Sequence, residues 1–534
     1  MHLPSSFSAS LCSLAVAQPG AFEPADFNVT EALRELAIYV EEIPSLESFR
    51  EGPPMGRQGA DDEGQACQAA ASLQSVYGGG AVYTQGEAGY SNFTGSYWSD
   101  AQQHVSPSCI FKPSRVSDVS AVVLLSRLTQ CPCAAKSGGR RCSIEAGITI
   151  SFANLNGISL NSDKIIASIG PGNVWGHIYE ALVKSDLTVI GGRLFNIGVG
   201  GLTTGGGISY FSPRYGWACD NVESFDVVTA SGMMVRASAQ QFPDLYSALR
   251  GGSNNFGLVV NFHLRTLPLP RAGSGAEDVH GPQLRGLDEA FAYAAANAAQ
   301  DVDAGLYLVY LHAKGKNLGL PVLIHADAVH GAASPVWAGF DNITAAGDTT
   351  KTRVLVEWTA ETMHDSPDGR RQLFYTLSTK ADVDLATFAR ARFFATVADI
   401  ADVPGIGPNL MYQAIGMPQL EQMRKDGGNA LVLEDAAAAV SEGGGPVYIM
   451  LLAASWAHAE DNGRTLRHGL FAGYVYMNYA SEYQDVVGSY GGANKARLKR
   501  IAAKYDPAQV FQRLQPGYFK LDRAPTPGTA YYNI

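Results

Sequence analysis

The stretch GGRLFNIGVGGLTTGGG, residues 191–207, puts glycine at eight of seventeen positions. Each glycine costs conformational entropy inside a helix or strand, so such a run persists where bare backbone must approach something. Exposed N–H groups suit the oxygens of a phosphate. A second pair, Gly138-Gly139, follows Ser137 after a strand-like AAK and precedes Arg140. Neither stretch is a P-loop, because no Gly-Lys-Ser/Thr closes it. Neither is a clean Rossmann fingerprint, because Gly198-Val199-Gly200 lacks a third glycine three residues on and no acid stands at the ribose distance. The reading is an anionic cofactor, a dinucleotide, held by backbone near 137 and 200. A loop-rich packing region is the alternative.

Proton transfer needs a titratable side chain at the same site. In Tyr474-Val475-Tyr476-Met477-Asn478-Tyr479 a strand would turn Tyr474, Tyr476 and Asn478 to one face. Tyr476 is the expected proton acceptor or substrate contact, with Tyr210 second; aromatic packing is the competing role. A phenol of pKa about 10 needs a nearby positive group to serve as a base. His325 and His330 stand five apart, which suits neither helix nor strand metal spacing, and no metal site is expected. No G-x-S-x-G element supports a serine hydrolase.

The elements that must position these groups fill 534 residues, too many for one core. A hydrophobic content of 46% against 17% charged residues marks a globular chain. The net charge of -11 and the absence of basic runs exclude an electrostatic nucleic-acid footprint. No apolar run reaches bilayer length. Between residues 107 and 192 strands and helices alternate, with a helix after Ser117. A hairpin follows around Ser231-Gly232, then an alternating strand, FGLVVNFHLRTLPLP. From about 270 to 470 strand-like pieces (DAGLYLVYLHA, LPVLIHADAV, TRVLVEWTA, GPVYIMLLAAS) alternate with Ala-rich helices, as in an antiparallel sheet with helical cover. The N-terminus reads as a secretory signal ending at Ala15-Val16-Ala17, and sequons stand at Asn28, Asn92 and Asn342. Secretion makes a disulfide plausible, with Cys67–Cys109 the expected pair and buried free thiols the alternative.

IFKPSRVSDVSAVV, the KSGG turn, GVGGLTTGGGISYFSPRYGWACDNVESFDVVTASG and LRGGSNNFGLVVNFHLRT together resemble the FAD-binding domain of the vanillyl-alcohol oxidase superfamily. The closing YMNYA and YGGANKARLKRIAAKYDPAQVFQRLQPG resemble the C-terminal segment of berberine bridge enzyme-like oxidases. The resemblance implies an α+β fold: a two-lobed PCMH-type FAD-binding domain over 60–268, a substrate domain over 269–470 and a C-terminal segment over 471–521 that returns to the first. It implies that Ser137, Gly138, Gly139, Gly198, Gly200, Gly201, Leu202, Thr203, Gly205, Gly206 and Gly207 wrap the FAD pyrophosphate. Asn221, Val222, Gly257 and Val259 would line the adenosine end. Asn478 and Tyr479 would return to the flavin.

The chain departs from the family pattern at both covalent anchors. Arg140 stands where a flavin-linked histidine usually follows Ser-Gly-Gly, and only Arg141, Cys142 and Ser143 separate it from the next strand. Leu194 stands where some relatives carry a cysteine. Three readings stay open: non-covalent FAD with Arg140 or Arg141 facing the diphosphate, a loop shortened by gene prediction, or lost redox function. The expected activity is hydride transfer from an alcohol, sugar or secondary metabolite to flavin, with dioxygen as acceptor. A flavin-holding cyclase and a flavin-free binding protein are the competing functions. The expected partners are a small molecule and dioxygen.

Overall fold

The computed structural model describes residues 22–24, 26–50, 67–138, 144–313, 315–329, 331–362, 368–433, 445–461, 474–482, 484–515 and 517–522. The expected signal sequence, Gly139, Arg140, Arg141, Cys142, Ser143 and His330 lie outside the described residues. The fold is α+β and, among the described residues, carries three sheets.

The first sheet has a parallel centre. Strands Cys109–Phe111 and Cys133–Lys136 flank Ile148–Ser151, and Val82–Tyr83 joins antiparallel at the edge. A crossover from the first to the second of these strands needs a helix. Val116–Thr129 supplies it, and it is apolar nearly all round because other elements cover it. Helices Val29–Glu35 and Gln68–Tyr77 pack on it, as does the strand Val222–Val228 of the second sheet. The expected cap at Ser117 is not the one used. Asp118 accepts from the N–H groups of Ser114 and Arg115 at 3.0 Å, and the helix starts at Val116, two residues earlier than a Ser117 cap would give.

The second sheet is antiparallel and centred on the long strand Leu258–Pro268. The expected hairpin, Val222–Val228 with Met234–Ser238, forms one edge. The third sheet is antiparallel and eight-stranded. At its centre Ala304–Ala313 pairs with Lys316–His325 and with Asn409–Ile415, and Asn409–Ile415 pairs with Val447–Trp456. Alternation gives this sheet two faces. Leu308, Tyr310, Leu410, Tyr412, Tyr448 and Met450 form one core with the helices Leu284–Asn297 and Val383–Val397. Burying each such side chain contributes about 1.5–3 kcal/mol. The opposite face is free to shape a cavity.

A buried ion pair ties the large sheet's flank to the second sheet. Arg250 is fully buried and donates to Asp220 at 3.0 Å, to the Cys219 carbonyl at 3.1 Å and to the carbonyls of Asp426 and Gly428 at 3.1 Å. Asn429 Nδ2 donates to the same Asp220 oxygen at 2.8 Å. Stripping one partner would leave a buried charge uncompensated, which costs several kcal/mol.

Three expectations are corrected. The disulfide joins Cys67 to Cys131, whose Cα atoms are 5.5 Å apart, and Cys109 is a buried free thiol. Cys109 opens a central strand of the first sheet, whereas Cys131 leaves the crossover helix beside the start of Gln68–Tyr77. TRVLVEWTA is a short strand, Lys351–Arg353, followed by the helix Leu355–Glu361. Glu357 accepts from the Val354 N–H at 3.0 Å and so caps that helix. The YVYMNYA segment is not a strand. It is irregular up to Tyr476 and then turns as the 3-10 helix Met477–Tyr479.

Candidate active site

The glycine run folds as a turn and a short helix, Val199–Thr204. It lies against the end of the parallel strand Cys133–Lys136, where Ser137 Oγ donates to the Pro171 carbonyl at 2.5 Å and accepts from the Gly200 N–H at 3.1 Å. Gly138 and Gly198 meet backbone to backbone, and a Cβ on either would overlap the other's main chain. Gly201 faces open space, with nothing within 4 Å of where its Cβ would stand. Gly206 and Gly207 adopt φ of 114° and 90°, a region that disfavours side chains.

The C-terminal turn locks onto this backbone. Asn478 Nδ2 donates to the Leu202 carbonyl and to Tyr476 Oη, both at 3.0 Å. The Gly207 N–H donates to Tyr476 Oη at 2.9 Å. A Cβ at Gly205 would collide with Asn478 Oδ1. Tyr476 packs on Trp217 with ring centroids 4.9 Å apart, and burial holds its phenol well above its usual pKa. This oxygen already accepts two hydrogen bonds, so Tyr476 braces the glycine turn and is poorly suited to accept a proton. Tyr210 is no better placed. Its hydroxyl donates to the Arg193 carbonyl at 3.2 Å, and burial again raises its pKa well above the usual value.

A cavity of about 1740 Å³ runs from the glycine turn to the free face of the large sheet. Drug-sized ligands occupy roughly 300–1,000 Å³, so this space admits a dinucleotide together with a substrate. Of the residues expected at the site, Ser137, Gly138, Gly198, Gly200, Gly201, Leu202, Tyr210, Gly257, Val259, Tyr476, Asn478 and Tyr479 line it. Thr203, Gly205, Gly206 and Gly207 stand behind that lining, and so do Asn221 and Val222. Asn221 Nδ2 donates to the carbonyls of Tyr215 and Trp217 at 2.8 Å, which fixes a turn and contacts no cavity.

FAD fits the groups present. Gly138, Gly198, Gly200 and Gly201 offer bare backbone to a diphosphate. Gln515 lines the same cavity with its buried Oε1 lacking a partner, an acceptor waiting for a hydroxyl or amine donor. Leu194 also lines the cavity and carries no nucleophile.

The most distinctive charge of the site leaves little sign in the sequence. Arg193 lies inside the glycine run and lines the cavity. Its Nη1 donates to Gln413 Oε1 at 2.9 Å and its Nη2 donates to Tyr479 Oη. The guanidinium sits 4.6 Å from the centroid of the Tyr307 ring and 5.8 Å from that of Tyr210. Among the described residues no carboxylate pairs with it. Gln413 Nε2 is buried without a partner. Arg193 thus places one positive charge among phenols, with Gln413 and Tyr479 as its two fixed acceptors.

A second polar string has a tempting composition. Ser168 Oγ lies 2.8 Å from His263 Nδ1, and His263 Nε2 lies 3.0 Å from Asp226. Burial opposes the charge on Asp226, but hydrogen bonds from His263 and Arg236 hold its pKa down to about 2. Ser168, His263 and Asp226 do not line the cavity. They are neighbours across three paired strands and staple the second sheet. His325 is likewise engaged, with Nε2 2.9 Å from Asp301 and Nδ1 2.8 Å from the Asp327 carbonyl.

Two family models match the chain: an FAD binding domain over residues 107–238, and a berberine and berberine-like segment over 475–516. The FAD-dependent monooxygenase tpcD of Cochliobolus heterostrophus is 33% identical over 465 residues, 80% of this chain and 87% of that protein. The structure of 6-hydroxy-D-nicotine oxidase from Arthrobacter nicotinovorans superposes with a TM-score of 0.65 at 20% identity, covering 83% of this chain and 97% of the other. Xylooligosaccharide oxidase from Myceliophthora thermophila, solved with xylobiose, gives 0.63 at 20% identity over 86% of this chain and 100% of the other. At that identity both solved structures share the fold alone.

Proposed function

Because this chain belongs to the berberine bridge enzyme-like family of FAD-linked oxidoreductases, we propose that it oxidises a small hydroxylated molecule with non-covalently held FAD and Tyr479 as proton acceptor. When bound, FAD supplies the hydride acceptor and passes the electrons to dioxygen, giving hydrogen peroxide. The observation that carries the reading is the Arg193–Tyr479 pair at the cavity wall. As the substrate C–H bond breaks and its electron pair leaves as hydride, the neighbouring O–H proton passes to the Tyr479 phenolate oxygen and a carbonyl forms. The Arg193 N–H donated to that oxygen stabilises negative charge on it without reorganisation. Asn478 and Tyr476 hold the turn that presents Tyr479, and Ser137 fixes the backbone facing the diphosphate.

Leu194 in the cavity wall supports non-covalent attachment, because no thiol is available there. The name carried by the relatives, monooxygenase, makes oxygen insertion a second reading. Oxidation releases one hydrogen peroxide per product, and insertion does not. We place the protein in the secretory pathway. The Cys67–Cys131 disulfide supports this, as do the exposed sequon residues Asn28, Asn92 and Asn342. The test is a screen for compounds that bleach the flavin absorption anaerobically. A hit should bleach the Tyr479→Phe holoenzyme at least about a hundredfold more slowly. Equal rates would remove Tyr479 from the mechanism.

A further inference from the structure

Behind the arginine lies a second, much smaller cavity of about 30 Å³. Arg193, Ile208, Tyr210 and Tyr307 line both spaces and so form the wall between them. Room of that size holds about two waters or one larger ion. Two residues with side-chain amides line it, Gln413 on the strand Asn409–Ile415 and Gln419 on the helix Met417–Gln422. Both are 2% exposed, and Nε2 of each has no hydrogen-bond partner among the described residues. Gln413 cannot turn its amide over to spare that nitrogen, because its Oε1 accepts from Arg193 and a guanidinium only donates. Ser209 and Ser212 are buried and line the same space. The Ser212 oxygen accepts from the Ser209 N–H at 2.9 Å, and the Ser209 oxygen accepts from the Phe211 N–H at 3.4 Å. Both hydroxyl protons are left to donate elsewhere.

We propose that this small cavity binds a single halide ion, chloride being the abundant one. A water molecule there would have to give two hydrogens as well as accept them, whereas a halide only accepts. The side chains gathered at this space bring donors: two amide nitrogens and two hydroxyls. The charge points the same way. Among the described residues Arg193 has no carboxylate partner, and the groups that act on its charge are the phenols of Tyr479, Tyr307, Tyr210 and Tyr476. A desolvated cation without a counter-charge is costly. An anion behind the wall supplies that counter-charge and leaves the large cavity to its own ligands. Ala295, Ala298, Ile324 and Ile415 close the small cavity with apolar surface, and a low dielectric strengthens the attraction. Sulfate carries five heavy atoms into room for about two waters, so the site selects by size as well as by charge.

The test replaces chloride with bromide and locates it by anomalous scattering in crystals of the purified protein. The expected result is a peak within hydrogen-bonding distance of the Gln413 and Gln419 amides. In solution, chloride-35 NMR line broadening gives the affinity. Gln419→Met removes one N–H donor and should raise Kd at least about tenfold, the range for one hydrogen bond to a charged group. Sulfate at equal ionic strength should not displace the ion. Water density without an anomalous peak in the wild-type cavity would overturn the proposal, and that result needs no variant to fold. An unchanged Kd in Gln419→Met, or displacement by sulfate, would move the bound ion to the protein surface and overturn it as well.

Discussion

The glycine turn and the large-sheet face enclose the same cavity by opposite means. The turn recognises through the absence of side chains: Gly138 and Gly198 touch main chain to main chain, and Gly201 leaves space open. The sheet face recognises through side chains placed by plain alternation, with Val309, Met411 and Leu451 at its centre. Gly138 and Gly198 admit almost no substitution, because a Cβ on either collides with the other's main chain. A side-chain face keeps its strands under many substitutions while its ligand changes. On the proposed function, the first region holds the cofactor and the second is where substrate choice is made.

Gly198→Val attacks the backbone side and has the largest expected effect. The added side chain overlaps Gly138, so flavin content of the purified protein should fall at least about tenfold, beyond the roughly 1–3 kcal/mol usual for overpacking. Met411→Ala on the opposite wall should keep full flavin content and change only substrate affinity. Equal flavin loss in both would erase the contrast between the regions.

Tyr479→Phe sharpens the contrast where the two regions meet. Removing a positioned proton acceptor costs about 10²–10⁴-fold in rate, so kcat should drop in that range while the visible spectrum stays flavin-like. Tyr476→Phe should instead weaken flavin retention, since its oxygen accepts from Gly207 and Asn478.

Cys131→Ser probes the elements behind the turn. Breaking a disulfide of sequence separation 64 should lower unfolding stability by about 2–4 kcal/mol, read by denaturant titration, with kcat unchanged at room temperature.

Lys136, the residue before Ser137, gives the subtlest effect. Its ammonium lies 4.1 Å from the Phe93 centroid and 3.9 Å from that of Tyr97. Burial, and then the charge of Lys112, lower its pKa from 10.5 to about 8. A depressed lysine stabilises the fold above the unfolded pKa and loses that contribution as pH falls through the folded one. Relative to Lys136→Met, the wild-type protein should therefore gain stability between pH 8 and 10.5. The gain should be of order 3 kcal/mol, and a flat difference across that window would mean the ammonium is not desolvated.

The two regions were unequally legible in the sequence. Glycine clustering announced the turn, because a run so costly to a helix or strand needs a reason, and the C-terminal motif announced the segment that closes on it. Arg193 was hidden by its surroundings: a lone arginine in a glycine run gives no sign that Gln413, 220 positions away, will accept from it. YVYMNYA alternates like a strand, yet Tyr476 and Asn478 spend their polar atoms on the glycine turn, and that tertiary demand bends the chain. TRVLVEWTA carries β-branched residues, but the cap from Glu357 outweighs their preference. The choice of Cys131 over Cys109 depends on where helix ends meet, which spacing alone does not encode.

The central claim is that FAD is held in the glycine turn without a covalent bond. The most direct measurement is the visible spectrum of the purified protein before and after acid precipitation. Non-covalent FAD gives a flavin spectrum whose colour passes entirely into the supernatant. Colour retained in the pellet, or a protein with no flavin at all, would contradict it.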